Sequence, residues 1–181
     1  MASYGGSIAR RYARALFGIG VDAGKFEALG REIEEFASLL EESDELRHAL
    51  ENPVFTPSEK RRVLESLLPR VAPTPEVQRF VLLLLERRRI VLLPAIARAY
   101  RDMTDAHLGR VRAKVISAEP LAGPVLDRVR RSLEMRTGKQ VIVETAVDPD
   151  LIGGIVARVG DLVLDGSVRT QLDDLRTKLL N

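Results

Sequence analysis

Residues 159–172 read VGDLVLDGSVRTQL. Glycines, aspartates and a serine crowd between apolar runs, which suits either a ligand-binding loop or the turns of a packed hairpin. Register separates the two. If Gly160-Asp161 forms a two-residue turn, Val159 faces Leu162 and Ala157 faces Leu164 on one side, while Arg158 and Val163 pair on the other. If Asp165-Gly166 turns instead, Leu164 meets Ser167 and Leu162 meets Arg169, and no apolar face survives. The first register is therefore expected. Asp165-Gly166-Ser167 then reads as the exit from the strand, with Gly166 free to take a positive φ and Ser167 or Asp165 capping a final helix. That helix carries Val168, Leu172, Leu175 and Leu179 in one stripe, with Asp174 and Lys178 one turn apart outside it. No Gly-Lys-Ser/Thr follows, so this is no phosphate loop.

Working outward, the same half alternates apolar and polar residues at Val111, Ala113 and Val115 and again at Val141, Val143 and Val147, which predicts strands. Between them Leu121, Val125, Val129 and Leu133 keep helical spacing, and Gly138 is placed to end that helix. Before residue 108 the period is helical throughout. IARRYARALFGIG puts Ile8, Tyr12, Ala15 and Ile19 on one face and Ala9, Ala13 and Phe17 on another. Phe26, Leu29, Ile33, Phe36 and Leu40 form a bundle stripe, with Arg31, Glu32, Glu34 and Glu35 left outside. Ser43 caps a short helix closed by Pro53. Thr56-Pro57-Ser58-Glu59 is a capping box opening a helix that Pro69 is expected to end. Thr74-Pro75-Glu76 opens the next, through Val77, Phe80, Val81 and Leu84, and another begins near Pro94. The expected architecture is an N-terminal six-helix antiparallel bundle over 1–107 followed by a small α+β domain over 108–181.

Composition narrows the function classes. The 181 residues are 45% hydrophobic and 30% charged, an ordinary folded chain. Cysteine is absent, so there is no disulfide framework and no thiolate ligand or nucleophile. His48 and His107 lie far apart with no second ligand at motif spacing, so no metal or cofactor site is expected. Asp173-Asp174 imitates a carboxylate pair, but adjacent helical residues point about 100° apart. No catalytic residue is expected. Net charge is only +2 and aromatics are 4%, poor material for nucleic acid; Arg128, Arg130 and Arg131 are diluted by Asp127 and Glu134. The longest apolar run, FVLLLL (80–85), stops at ERRR, far short of the roughly 20 residues a bilayer span needs. Any membrane association is expected to be indirect, through partners.

The residues also carry a family resemblance. LIGGIVARVGDLVLDGSVRTQLDDL (151–175) resembles the C-terminal signature of the delta subunits of F-type ATP synthases, whose mitochondrial counterpart is the oligomycin-sensitivity-conferring protein. The matching positions are Gly153, Gly154, Arg158, Gly160, Asp161, Asp165, Gly166, Ser167 and Leu172. IARRYARALF, through Ala9, Tyr12, Ala13 and Phe17, is similar to the family's first helix. The joint ERRRIVLLP departs from the Asn-Gly-Arg-Leu type of stretch usual there.

The resemblance implies a non-catalytic subunit of the peripheral stalk. Its helical domain would grip the N-terminal helix of an alpha subunit, and its C-terminal region would hold the b-type stalk helices. It would thereby resist rotor torque at the cytoplasmic face of a bacterial-type membrane complex. A helical partner needs an apolar groove. Tyr12, Ala15, Ile19, Phe80, Leu83 and Leu84 are expected to border it, although helix 77–85 reads equally well as the centre of the bundle. The strand face bearing Arg112 and Lys114 is the candidate partner surface of the second domain. The competing classes are a helical adaptor of another complex, a nucleic-acid-binding module and a small enzyme. An enzyme would need a convergent polar pocket that the sequence does not show.

Overall fold

The computed structural model describes residues 2–160, 162–168, 170 and 172. It is a mixed α plus β chain that divides into two units, Met1–Thr104 and Asp105–Asn181. The first contains α1 (Ala2–Asp22), α2 (Phe26–Glu42), α3 (Asp44–Glu51), α4 (Pro57–Val71), α5 (Pro75–Glu86), a 3₁₀ turn (Ile90–Leu92) and most of α6 (Leu93–His107).

The stripes read from the sequence become one core. Ala9, Ala13 and Leu16 of α1 join Leu29, Ile33 and Phe36 of α2, Val77, Val81 and Leu84 of α5, and Ile96 and Tyr100 of α6. Two glycines let these helices approach. A Cβ on Gly20 would sit 2.8 Å from the Phe26 Cα and from the Tyr100 hydroxyl, and one on Gly30 would sit 3.0 Å from the Tyr100 ring. Tyr100 fills the space so created, donates to the Phe26 carbonyl at 2.8 Å and meets the Phe17 ring edge-on at 5.5 Å. Burial pushes its hydroxyl pKa up to about 12, because the anion would lose water and gain no partner.

The start signals behave as their chemistry dictates. Leu46 N donates to Ser43 Oγ. Glu59 N donates to Thr56 Oγ1 while Thr56 N donates to Glu59 Oε2, a complete capping box. Two expectations are corrected. Pro69 does not end α4, which runs to Val71 and closes with Ala72 at φ 46. Proline removes one amide donor, and a helix can absorb that near its exposed end. Glu32, placed outside the α2 stripe, is not a solvated charge. Its Oε2 accepts from both Thr74 N and Thr74 Oγ1 at 2.8 Å, and Thr74 itself makes no side-chain cap.

The second unit holds β1 (Arg110–Ser117), α7 (Gly123–Thr137), β2 (Gln140–Val147), β3 (Gly154–Val159) and β4 (Leu162–Ser167). The sheet order is β2-β1-β3-β4. β1 and β2 are parallel, joined by α7, and β3 runs antiparallel to β1. Ala113, Val115, Val141, Ala157 and Val159 share a core with Leu133 of α7. Gly138 ends α7 at φ 66, and its N–H reaches the Glu134 carbonyl.

The opening stretch adopts the expected register: Val159 pairs with Leu162, Ala157 with Leu164 and Arg158 with Val163. Gly160 turns the corner at φ 56. The exit differs from expectation, because β4 continues through Asp165 and Gly166 to Ser167. Gly166 has no positive φ; it pairs with Ile155, whose carbonyl would lie 3.3 Å from an added Cβ. The positive φ belongs to Gly154 at 87°, where a Cβ would lie 2.3 Å from the Gly166 carbonyl oxygen. Ser167 then caps, with Thr170 N donating to its Oγ at 3.3 Å, and the backbone is helical at Val168, Thr170 and Leu172. Asp161, Arg169, Leu175, Leu179, Asp173, Asp174 and Lys178 lie outside the described residues.

Candidate functional site

α1 shows one buried and one open apolar stripe. Ala9, Ala13 and Leu16 are buried. On the flank of the same helix, Ile8, Tyr12, Ala15 and Ile19 recur at i, i+4, i+7 and i+11, a single line along the surface. Tyr12 and Ile8 are half-buried, Ala15 is exposed and Ile19 is 50% exposed. The wall opposite is α5. The Tyr12 and Phe80 rings meet edge to face at 6.2 Å, which places these helices side by side.

Of the residues expected to border a groove, the structure brings Tyr12 and Phe80 together and leaves Ala15, Ile19 and Leu83 open. Phe80 is 8% exposed and forms floor rather than rim, and Leu83 is 39% exposed on the α5 side. Leu84 is fully buried. It lies one position beyond Leu83 and therefore about 100° around the helix, in the core. It therefore does not border an open surface, contrary to expectation.

Sequence reasoning missed Glu76. It stands four residues before Phe80 and seven before Leu83 on α5, and its Oε2 is buried without a hydrogen-bond partner among the described residues. The capping position at the start of α5 drew attention to Thr74 and Pro75, and nothing in the spacing marked Glu76 as unsatisfied. Ala15 and Ile19 of α1 and Leu83 of α5 thus leave apolar surface open on the two helices that the Tyr12–Phe80 contact joins. Apolar surface of that kind suits a helix laid against it.

In the second unit, α7 packs on the sheet face bearing Ala113, Val115, Val141 and Ala157. The opposite face carries the expected Arg112 and Lys114, with different fates. Arg112 is engaged: it donates to Asp105 at 2.5 Å and to Glu144 at 2.9 Å. Lys114 is exposed and stands in register between Glu144 and Arg158. Exposed Val163 and half-buried Ile116, Val156 and Ile142 share this face. Asp165 holds the exit of β4 by accepting from Ser167 N at 2.9 Å and Thr170 Oγ1 at 2.8 Å. The Ser167 backbone bond is the main cause that keeps its carboxyl below the usual carboxylate range. The signature polar residues Asp165 and Ser167 thus bond to one another's segment, and the glycines Gly154, Gly160 and Gly166 serve backbone geometry. Gly153 and exposed Arg158 complete the described part of that signature.

A family model described as ATP synthase delta (OSCP) subunit matches residues 8–179. The chain belongs to that family. Among its relatives, the ATP synthase subunit delta of Anaeromyxobacter dehalogenans (strain 2CP-1) is 42% identical over 174 residues, covering 96% of this chain and 97% of that one. The subunit delta of Myxococcus xanthus (strain DK1622) is 41% identical over 175 residues, 96% of each. A chain in the cryo-EM structure of the Toxoplasma gondii mitochondrial ATP synthase hexamer superposes with a TM-score of 0.70 at 26% identity, covering 96% of this chain and 97% of that one.

The delta-family chain is thus a structural, non-catalytic component of the peripheral stalk of ATP synthase. Among the described residues no helix is long and apolar enough to cross a membrane. Its place is peripheral to the membrane complex.

Proposed function

We propose that the trough between α1 and α5 receives the N-terminal helix of an alpha subunit, while the second unit holds the ends of the b-type stalk helices. On this reading the chain is a clamp between the alpha/beta head and the stalk, at the cytoplasmic face of a bacterial membrane, and it resists the torque of the rotor. The helical part acts as one antiparallel six-helix bundle over 1–107, and the α+β domain over 108–181 acts as a separate grip. The observation that supports it best is the Tyr12–Phe80 contact with Ile19 and Leu83 left open beside it. Apolar area left open beside a packed aromatic contact is what a partner helix would cover. For the b-type stalk, the sheet face holding Lys114, Arg158 and Val163 is the surface we assign.

The test is calorimetric titration of a synthetic alpha N-terminal peptide into the full chain and into its Tyr12→Asp and Ala15→Asp variants. The expected result is loss of affinity by roughly 100-fold or more, the cost of setting an unpaired carboxylate against apolar surface. Binding that persists unchanged in both variants removes the trough as the site.

A further inference from the structure

The helical unit has a second concavity on another part of its surface. A cavity of about 960 Å³ opens between the α3–α4 connection, the start of α4, the second half of α5 and the 3₁₀ turn. Its apolar wall includes Leu82, Leu85 and Val91, and its lip includes Phe55 and Val54, the latter 81% exposed. Clefts of roughly 300–1,000 Å³ with apolar walls and a few placed polar groups are the usual form of small-molecule sites.

One residue at this cavity is held against its backbone preference. α5 ends in a double-bonded reverse turn: Arg89 N donates to the Leu84 carbonyl at 2.7 Å and Arg88 N to the Leu85 carbonyl at 3.0 Å. This closure needs a left-handed residue at Arg88, which has φ 55. Glycine is the usual occupant, because a side chain there crowds the following carbonyl. Nothing in the fold repays the arginine. Its guanidinium makes no hydrogen bond or ion pair among the described residues, and it lines the cavity. Costly backbone conformations persist where a side chain serves a site.

The charges lining the cavity are mixed, and two of the cations are not spent in ion pairs among the described residues. Lys60, Arg61 and Arg88 line it against Glu51 and Glu86. Arg61 is taken up by Glu65 at 2.9 Å, with Glu86 also acting on it. Lys60, like Arg88, has no ion pair among the described residues.

We propose that this cavity binds an amphipathic anion: an aliphatic chain against Leu82, Leu85 and Val91, ending in a carboxylate held by Arg88 and Lys60. The site is separate from the α1–α5 trough and does not depend on the docking read there.

The experiment titrates the full-length chain with dodecanoate below its micellar concentration, with dodecyltrimethylammonium as the comparison. Dodecanoate is expected to bind saturably at one site, and the ammonium compound at least tenfold more weakly. Arg88→Gly is expected to reduce dodecanoate affinity about tenfold through the lost charge-assisted bond. The same change relieves the left-handed side chain, so the thermal midpoint should hold or rise by roughly 2–4 °C. Val54→Asp, at an exposed position, should also weaken binding with the fold intact. Equal binding of the two headgroups, indifference to Arg88→Gly, or absence of saturable binding overturns the proposal. So does a lowered midpoint in Arg88→Gly, which would show that the arginine serves the fold.

Discussion

The two units solve the same problem with different resources. The helical unit gathers 20 buried hydrophobic residues into one cluster. The sheet unit gathers six among its described residues, and it leaves Met135, Val147, Ile152, Leu162, Val163 and Leu172 exposed. The first is stabilised by volume, with many stripes each contributing a little. The second is stabilised by register, since a one-residue slip in any strand would exchange its faces. A core of volume tolerates local change; a core of register depends on a few backbone positions. The exposed apolar side chains of the sheet unit suit a body completed by neighbours, and the helical unit exposes Ile19, Val21, Val54, Phe55, Leu83 and Val91 as well.

That contrast breaks first at Gly154. Gly154→Ala drives a Cβ to within 2.3 Å of the Gly166 carbonyl oxygen, at a φ of 87. It is expected to cost about 3 kcal/mol or more and to melt the sheet unit ahead of the helices. Gly160→Ala, with φ 56 but open space around it, should cost only about 1 kcal/mol. Hydrogen exchange resolved by segment would show both the difference and its confinement to the second unit. Equal losses would mean that crowding against β4 is not what demands the glycine.

The comparison sharpens within α5. Leu84→Ala empties a fully buried position and is expected to cost about 3 kcal/mol, measured by denaturant unfolding. Leu83→Ala, next door and 39% exposed, should change stability by less than about 1 kcal/mol while weakening binding of the alpha N-terminal peptide. If the two exchanged effects, the trough would have been assigned to the wrong flank.

The smallest expected effect is at Tyr100. Tyr100→Phe keeps the ring and deletes the bond to the Phe26 carbonyl, at a cost of about 1 kcal/mol. Its pH signature is more telling. The folded hydroxyl pKa, about 12, lies above the ordinary tyrosine value of 10.0, so the unfolded chain loses the proton first. The stabilising contribution is whole below pH 10 and declines as pH rises from 10 through 12. The thermal midpoint of the parent chain should fall across that window more steeply than that of Tyr100→Phe.

Most of the helical architecture was legible because period and caps agree. Thr56 with Glu59, Ser43, and the α2 stripe all act within one or two turns of chain. The hairpin register was legible because only one turn position sorts Ala157, Val159 and Leu164 to the same side. What stayed hidden was long-range. Nothing local distinguishes Glu32 from Glu34 or Glu35, and its partner Thr74 is 42 residues away. Leu83 and Leu84 are the same residue type, so which of them lines a groove depends on where α1 lies. Gly166 reads as a turn glycine and Gly154 only as a position of the signature, and the strand pairing shows that Gly154 yields its φ and Gly166 its bulk. Pro69 misled in the ordinary way, since proline disfavours helix continuation without forbidding it near an end.

The pair of hydrogen bonds from Thr74 to Glu32 bears on how a stationary frame carries load. Force delivered to α5 at its trough would otherwise bend the short connection behind Ala72. With the amide and the hydroxyl of Thr74 both anchored on one oxygen of α2, that connection is bypassed. A pull on α5 is then handed to a helix whose Leu29, Ile33, Phe36, Ala37 and Leu40 are buried in the core, which shortens the lever between the two helices.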